Sequence, residues 1–126
     1  MNYLIVFLGA GIGGTLRYVV NTIALRLPGA DYSLGTMIIN IVGSFFMGLV
    51  AGAFMMKADL PTSLRLFLAT GVLGGFTTFS AFSLDAVAIY QRGEPTLAAL
   101  YVAGSVVLSI AGLWVGLSLV RAILTT

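Results

Sequence analysis

Four long apolar runs divide the chain: residues 3–27, 34–56, 64–90 and 96–120. Short clusters of polar and turn-forming residues separate them, carrying Pro28-Gly29, then Asp59 and Pro61, then Gly93 and Pro95. A straight helix needs about 20 residues to cross a bilayer, and every run reaches that length. The pattern predicts an all-α integral membrane protein, with four transmembrane helices forming a single domain over residues 1–126.

The third run is unlike the others. Residues 71–83 read Gly-Val-Leu-Gly-Gly-Phe-Thr-Thr-Phe-Ser-Ala-Phe-Ser. Gly74-Gly75 costs a helix about 2 kcal/mol relative to two alanines. The hydroxyls of Thr77, Thr78, Ser80 and Ser83 can bond the backbone groups that a break would release. The expected result is a helix broken near mid-membrane, between about Phe76 and Ala81. Asp85 then falls early in the second half, where a carboxylate favours a helix N-terminus. Irregular backbone at that depth survives only inside protein or beside a water-filled cavity, so the break marks a candidate ion or substrate site.

Isolated polar residues interrupt the other runs. Arg17 lies inside the first, where a cation costs about 2.5–3.5 kcal/mol on insertion scales. It either snorkels to the headgroups or stands at the mouth of an anion path. Asn40, in the second, must face protein or water; it serves either a helix–helix hydrogen bond or an anion. Ser44-x-x-x-Gly48 and Gly48-x-x-x-Gly52 read as packing motifs. Tyr101, Ser105 and Ser109 recur every four residues, share one face of the fourth run, and would make a ladder of neutral donors, with Gly112 extending that face. Gly9-x-Gly11-x-x-Gly14, with Asp31 further on, matches a dinucleotide fingerprint on paper. No βαβ alternation surrounds it, so the glycines read as close helix packing.

Composition narrows the function. The chain is 60% hydrophobic and only 8% charged, against about 25% charge in soluble domains. It contains no cysteine and no histidine, which removes thiolate chemistry and the commonest general base. Without a nucleophile–base pair or a metal cluster, an enzyme is the weakest reading. The net charge of +2 is too small and scattered for nucleic acid. No basic residue precedes the first run and no cleavage pattern follows it, so it reads as a span and not as a signal peptide.

Four spans put Lys57, Arg65 and Arg121 on one side and Arg26 and Arg92 on the other, with Arg17 deeper. The positive-inside rule orients a protein only through an asymmetry, which is nearly absent here. Insertion in both orientations is therefore expected, and pairing of the two would give an antiparallel two-fold dimer.

The broken-helix motif Gly71-x-x-Gly74-Gly75-x-Thr77-Thr78-Phe79-Ser80-x-Phe82-Ser83 resembles the signature of the bacterial fluoride channels (the Fluc or CrcB family). Gly-x-x-x-Arg17, Gly35-Thr36-x-x-x-Asn40 and the Tyr101/Ser105/Ser109 stripe extend the resemblance over the whole chain. It implies a multi-pass protein of the inner cell membrane, assembled as an antiparallel dual-topology homodimer with two pores. The implied function is passive export of cytoplasmic fluoride and hence resistance to its toxicity. Neutral HF enters and ionises, and the trapped anion leaves with the help of about 2.3 kcal/mol per charge per 100 mV.

The resemblance also implies roles. Backbone carbonyls of Gly74 and Thr77 from both protomers would hold a central structural Na+, a hard cation that takes oxygen ligands. Phe79 and Phe82 would turn their positive ring edges to the anion, and Asn40 would donate beside them. Arg17 and Ser80 match vestibule positions, and Tyr101, Ser105 and Ser109 match the polar track. Thr78 would be a further donor or packing. Ala81 and Asp85 depart from the Thr and Glu of many members, which bears on conductance more than on kinship. Two rivals remain. A small dual-topology proton-coupled exporter needs an embedded carboxylate, for which Asp85 alone is available. An assembly subunit would leave the Thr/Ser/Phe run unexplained.

Overall fold

The computed structural model describes residues 1–125 and is all helical. The helices are α1 (Asn2–Ala24) and α2 (Tyr32–Met56), then a third span in several pieces, and finally α6 (Pro95–Leu124). The third span opens with α3 (Thr62–Arg65), continues as a π-helical stretch (Leu66–Leu73), closes its first half with α4 (Gly74–Phe76), and resumes as α5 (Phe79–Gln91). Four helical stretches are long and apolar enough to cross a membrane, the third running over Thr62–Gln91.

The turns follow from local chemistry. Gly29 and Gly93 have φ of +73° and +83°, a left-handed conformation that glycine adopts without a steric penalty. Pro95 occupies the first turn of α6, where its missing N–H has no helical partner to lose. Asp31 caps α2, its Oδ1 accepting from the Ser33 amide at 3.1 Å and from the Ser33 hydroxyl. Arg92 approaches Asp31 at 3.6 Å and Glu94 at 3.2 Å, tying the two turns at this end together. All three side chains are about half exposed, so each pair contributes at most about 1 kcal/mol.

Two glycine-lined seams hold the bundle. On one, α1 lies against the first half of the third span. A methyl on Gly9 would meet the Phe67 carbonyl at 2.7 Å, and one on Gly13 would meet the Val72 carbonyl. A π turn is wider than an α turn, and here its carbonyls press onto the glycine face of α1. On the other seam, Gly48 of α2 meets the Leu113 backbone and Gly116 of α6 meets the Phe45 backbone. Such backbone-to-backbone approach is how membrane helices gain packing energy without a hydrophobic drive between them.

The buried core of one protomer is small. Phe82, Ile89, Ala98 and Tyr101 cluster where α5 meets α6, with Met37 of α2 against them, and Ile39 is fully enclosed. Trp114, Val107, Ile110, Phe7 and many other large apolar side chains lie outside, as expected of helices solvated by lipid.

Candidate functional site

The third span is interrupted at Thr77 and Thr78, both extended, with φ/ψ of −80°/156° and −150°/116°. In a continuous helix the Thr78 amide would bond the Gly74 carbonyl. Instead it donates to Asn40 Oδ1 at 2.8 Å, while Asn40 Nδ2 donates to the Thr78 carbonyl at 3.0 Å. The Asn40 amide thus replaces a helical neighbour for the residue that left the helix. Thr78 Oγ1 accepts from the Ala81 amide at 3.2 Å and so caps α5, and it lies 3.3 Å from Ser80 Oγ. Both amides that would close the Gly74 and Thr77 carbonyls are therefore redirected, which leaves two carbonyl oxygens without their α-helical donors.

A groove of about 360 Å³ opens beside the break. Asn40, Thr78, Phe79, Phe82, Ser105 and Ser109 line it, which brings together six of the nine side chains named for the path. The Phe79 and Phe82 rings lie 5.5 Å apart at 51°, and Phe82 lies 5.4 Å from the Tyr101 ring. Phe82 is buried, whereas Phe79 is 78% exposed in the single protomer. Ser105 is 4% exposed, and its Oγ has no hydrogen-bond partner among the described residues. A buried hydroxyl without a partner costs about 1–3 kcal/mol, so this wall of the groove favours a polar or charged guest.

The remaining three lie elsewhere. Tyr101 is buried behind Phe82, its hydroxyl donating to Asp85 Oδ2 at 3.2 Å. Ser80 is exposed at the first turn of α5. Arg17 is half-buried on α1, one turn beyond Gly13, and makes no ion pair among the described residues. The Asp85–Tyr101 bond was missed by reading spans separately, since it joins residues 16 apart on two helices. Ser44 also lines the groove. Its Ser44-x-x-x-Gly48 spacing marks packing, yet it follows Asn40 by one turn and so shares its face.

No group of His, Cys, Asp and Glu side chains that could hold a metal occurs among the described residues. The candidate metal donors are the released backbone carbonyls.

The family model described as CrcB-like protein, Camphor Resistance (CrcB), matches residues 4–117. The chain belongs to the CrcB family. Its CrcB relatives include the "Fluoride-specific ion channel FluC" of Rhodopseudomonas palustris (strain BisB5), 55% identical over 98% of this chain and 99% of the relative. The protein of the same name from Methylobacterium sp. (strain 4-46) is 56% identical over 96% of this chain and 97% of its own. That of Agrobacterium fabrum (strain C58 / ATCC 33970) is 46% identical over 96% and 97%. These CrcB proteins are ion channels by name and not enzymes. With four spanning helices this CrcB chain is a multi-pass membrane protein, and helical spans place it in the inner membrane, because bacterial outer-membrane spans are β-barrels.

Proposed function

We propose that this chain is a fluoride-selective channel giving passive export of the anion, working as an antiparallel homodimer of dual-topology protomers. The observation that carries the reading is the Ser105 hydroxyl, buried and unpartnered in a groove that also holds Phe79, Phe82 and Asn40. The names of the relatives supply the anion.

The chemistry follows from the groove's residues. Fluoride is strongly hydrated, so its route must offer donors in place of water yet bind weakly enough to release the ion. Ser105 and Ser109 offer neutral hydroxyls, and Asn40 Nδ2 has a second hydrogen beyond the one given to Thr78. Phe79 and Phe82 offer ring edges, the positive part of the aromatic quadrupole. Arg17 would raise the local anion concentration as a vestibule charge, with Ser80 beside the opening. Tyr101, held by Asp85, would back Phe82.

The dimer reading draws on Phe79 and Gly74, both exposed in one protomer at the break. A second copy related by a two-fold axis would cover them and double the released carbonyls. Those of Gly74 and Thr77 from two protomers make an oxygen-only, uncharged donor set. That set fits a structural Na+, which would neutralise the converging carbonyl dipoles where the two broken helices meet.

The test is fluoride efflux from liposomes holding the purified protein, read with a fluoride electrode and repeated with chloride. Fluoride leaving fast, with chloride retained and no proton gradient needed, is the expected result. Efflux that requires a proton gradient would replace the channel with the proton-coupled exporter, and Asp85 would become its carboxylate.

A further inference from the structure

The groove beside the break does not end at Ser109. A second hollow of about 360 Å³ shares Ser44, Ser109, Ile110 and Leu113 with the first and runs on to Arg121. The two make one continuous trough along α2 and α6. Its walls are mainly apolar, and its polar atoms fall in a line. Ser105 and Ser109 come from one helix, Asn40 and Ser44 from the other, each pair one turn apart. The end is marked by Arg121, in the last turn of α6. Helical side chains lean toward the N-terminus of their helix, which here points the Arg121 stem back along the trough toward Ser109. Its guanidinium has no carboxylate partner among the described residues, because the ion pairs present join Arg92 to Asp31 and Glu94. The unpartnered, buried Ser105 Oγ stands in the wall of the first hollow, at the end nearer the phenylalanine pair.

We propose that Ser44 and Arg121 extend the anion route from the phenylalanine pair to this end of the bundle. Ser44 and Ser109 are facing hydroxyl donors, and Arg121 is the cation that gathers anions at the mouth. The inference rests on the channel reading above and adds the exit that Asn40, Phe79, Phe82 and Ser105 leave undefined. A charge of this kind acts through local anion concentration, and so chiefly at low ionic strength. An arginine that only pairs with lipid phosphates or with the α6 dipole would leave transport unchanged.

The chain has no cysteine, so Arg121→Cys carries a unique thiol. Treated in detergent before reconstitution, it can receive a cationic or an anionic methanethiosulfonate group. Fluoride efflux by Arg121→Cys at low salt is expected to fall about tenfold, to return with the cationic group and not with the anionic one, and to approach wild type as salt is raised. Ser44→Ala lowers efflux several-fold at every salt concentration, and Ser44→Thr retains it. If Arg121→Cys gives no monodisperse dimer, Arg121→Gln and Arg121→Lys make the same comparison. Wild-type efflux with unchanged Arg121 and Ser44 variants would overturn the extended route and leave the channel intact. A silent wild type would overturn both, so the two failures are told apart by the control.

Discussion

Asn40 and Thr78, 38 residues apart, form a two-bond clamp: the amide side chain on α2 takes both backbone polar groups of the residue that has left the helix. In a bilayer those groups have no water to turn to, and each would cost several kcal/mol unpaired. The clamp is what lets the third span break, and it holds Asn40 at the groove with one hydrogen to offer.

Asn40→Ala is accordingly expected to destabilise the folded protein by about 2–5 kcal/mol, since it leaves a buried donor and acceptor unpaired. Asn40→Asp keeps the acceptor for the Thr78 amide but removes both donors and adds a negative charge. It should fold better than Asn40→Ala yet pass less fluoride. Thermal unfolding in detergent and liposome efflux, measured on the same preparations, check the pair; equal stability of all three proteins would remove the clamp.

The phenylalanines separate transport from assembly. Phe79 is exposed beside the break and Phe82 is buried against Tyr101. Phe79→Leu and Phe82→Leu keep apolar volume and lose the ring edge. A pore role predicts a stable dimer whose efflux falls at least about tenfold, the worth of roughly 1.4 kcal/mol at the barrier. An assembly role predicts loss of the dimer on a sizing column instead.

Much of this was legible in the sequence because membrane helices announce themselves by length and polarity. The break was expected between about Phe76 and Ala81, and the interruption stands at Thr77 and Thr78. The four-residue spacing puts Tyr101, Ser105 and Ser109 on one face; Ser105 and Ser109 line the groove, whereas Tyr101 lies behind Phe82 and bonds Asp85. What stayed hidden was pairing between spans. Periodicity says which face a residue occupies, not which helix lies opposite, so the Asn40 amide remained ambiguous between clamp and anion donor, and the Asp85–Tyr101 bond went unseen. Equally illegible was the π stretch Leu66–Leu73, since no residue type demands it.

Outside the membrane, Asp31 provides a pH handle. Its carboxyl is held below the usual carboxylate range, chiefly by the Ser33 hydroxyl, with the Ser33 and Leu34 amides and the Arg92 charge adding to this. A depressed folded-state pKa contributes stability above the unfolded value of about 3.9, and that contribution is lost as pH falls through the folded value. Asp31→Asn retains a capping oxygen but not the charge. The variant should be slightly less stable than wild type at pH 7, by no more than about 1 kcal/mol for so exposed a group, and the gap should narrow as pH falls below the unfolded value of about 3.9. A gap that widens on acidification would assign the stabilisation to another carboxylate.

The released carbonyls of Gly74 and Thr77 bear on assembly. If they hold Na+ between protomers, the ion binds the dimer and not the separated chains, so its concentration enters the dimer's stability by mass action. At a hundred times its dissociation constant the ion adds about 2.7 kcal/mol. Exchange of Na+ for choline at constant ionic strength should therefore lower the melting temperature of the dimer, and Na+ should restore it along a saturating curve. A larger monovalent cation should restore it less if two broken helices close the donor set around Na+. Substituting side chains at these positions cannot remove backbone oxygens, so the decisive variant is Thr78→Pro. Proline removes the amide that Asn40 Oδ1 accepts from and cannot adopt the φ of −150° found here, so it disturbs the break and the Thr77 carbonyl with it while leaving the rest of the span unchanged. A melting temperature that ignores Na+ in wild type would exclude the cation, whereas loss of the Na+ response in Thr78→Pro alone would tie the site to the geometry of the break.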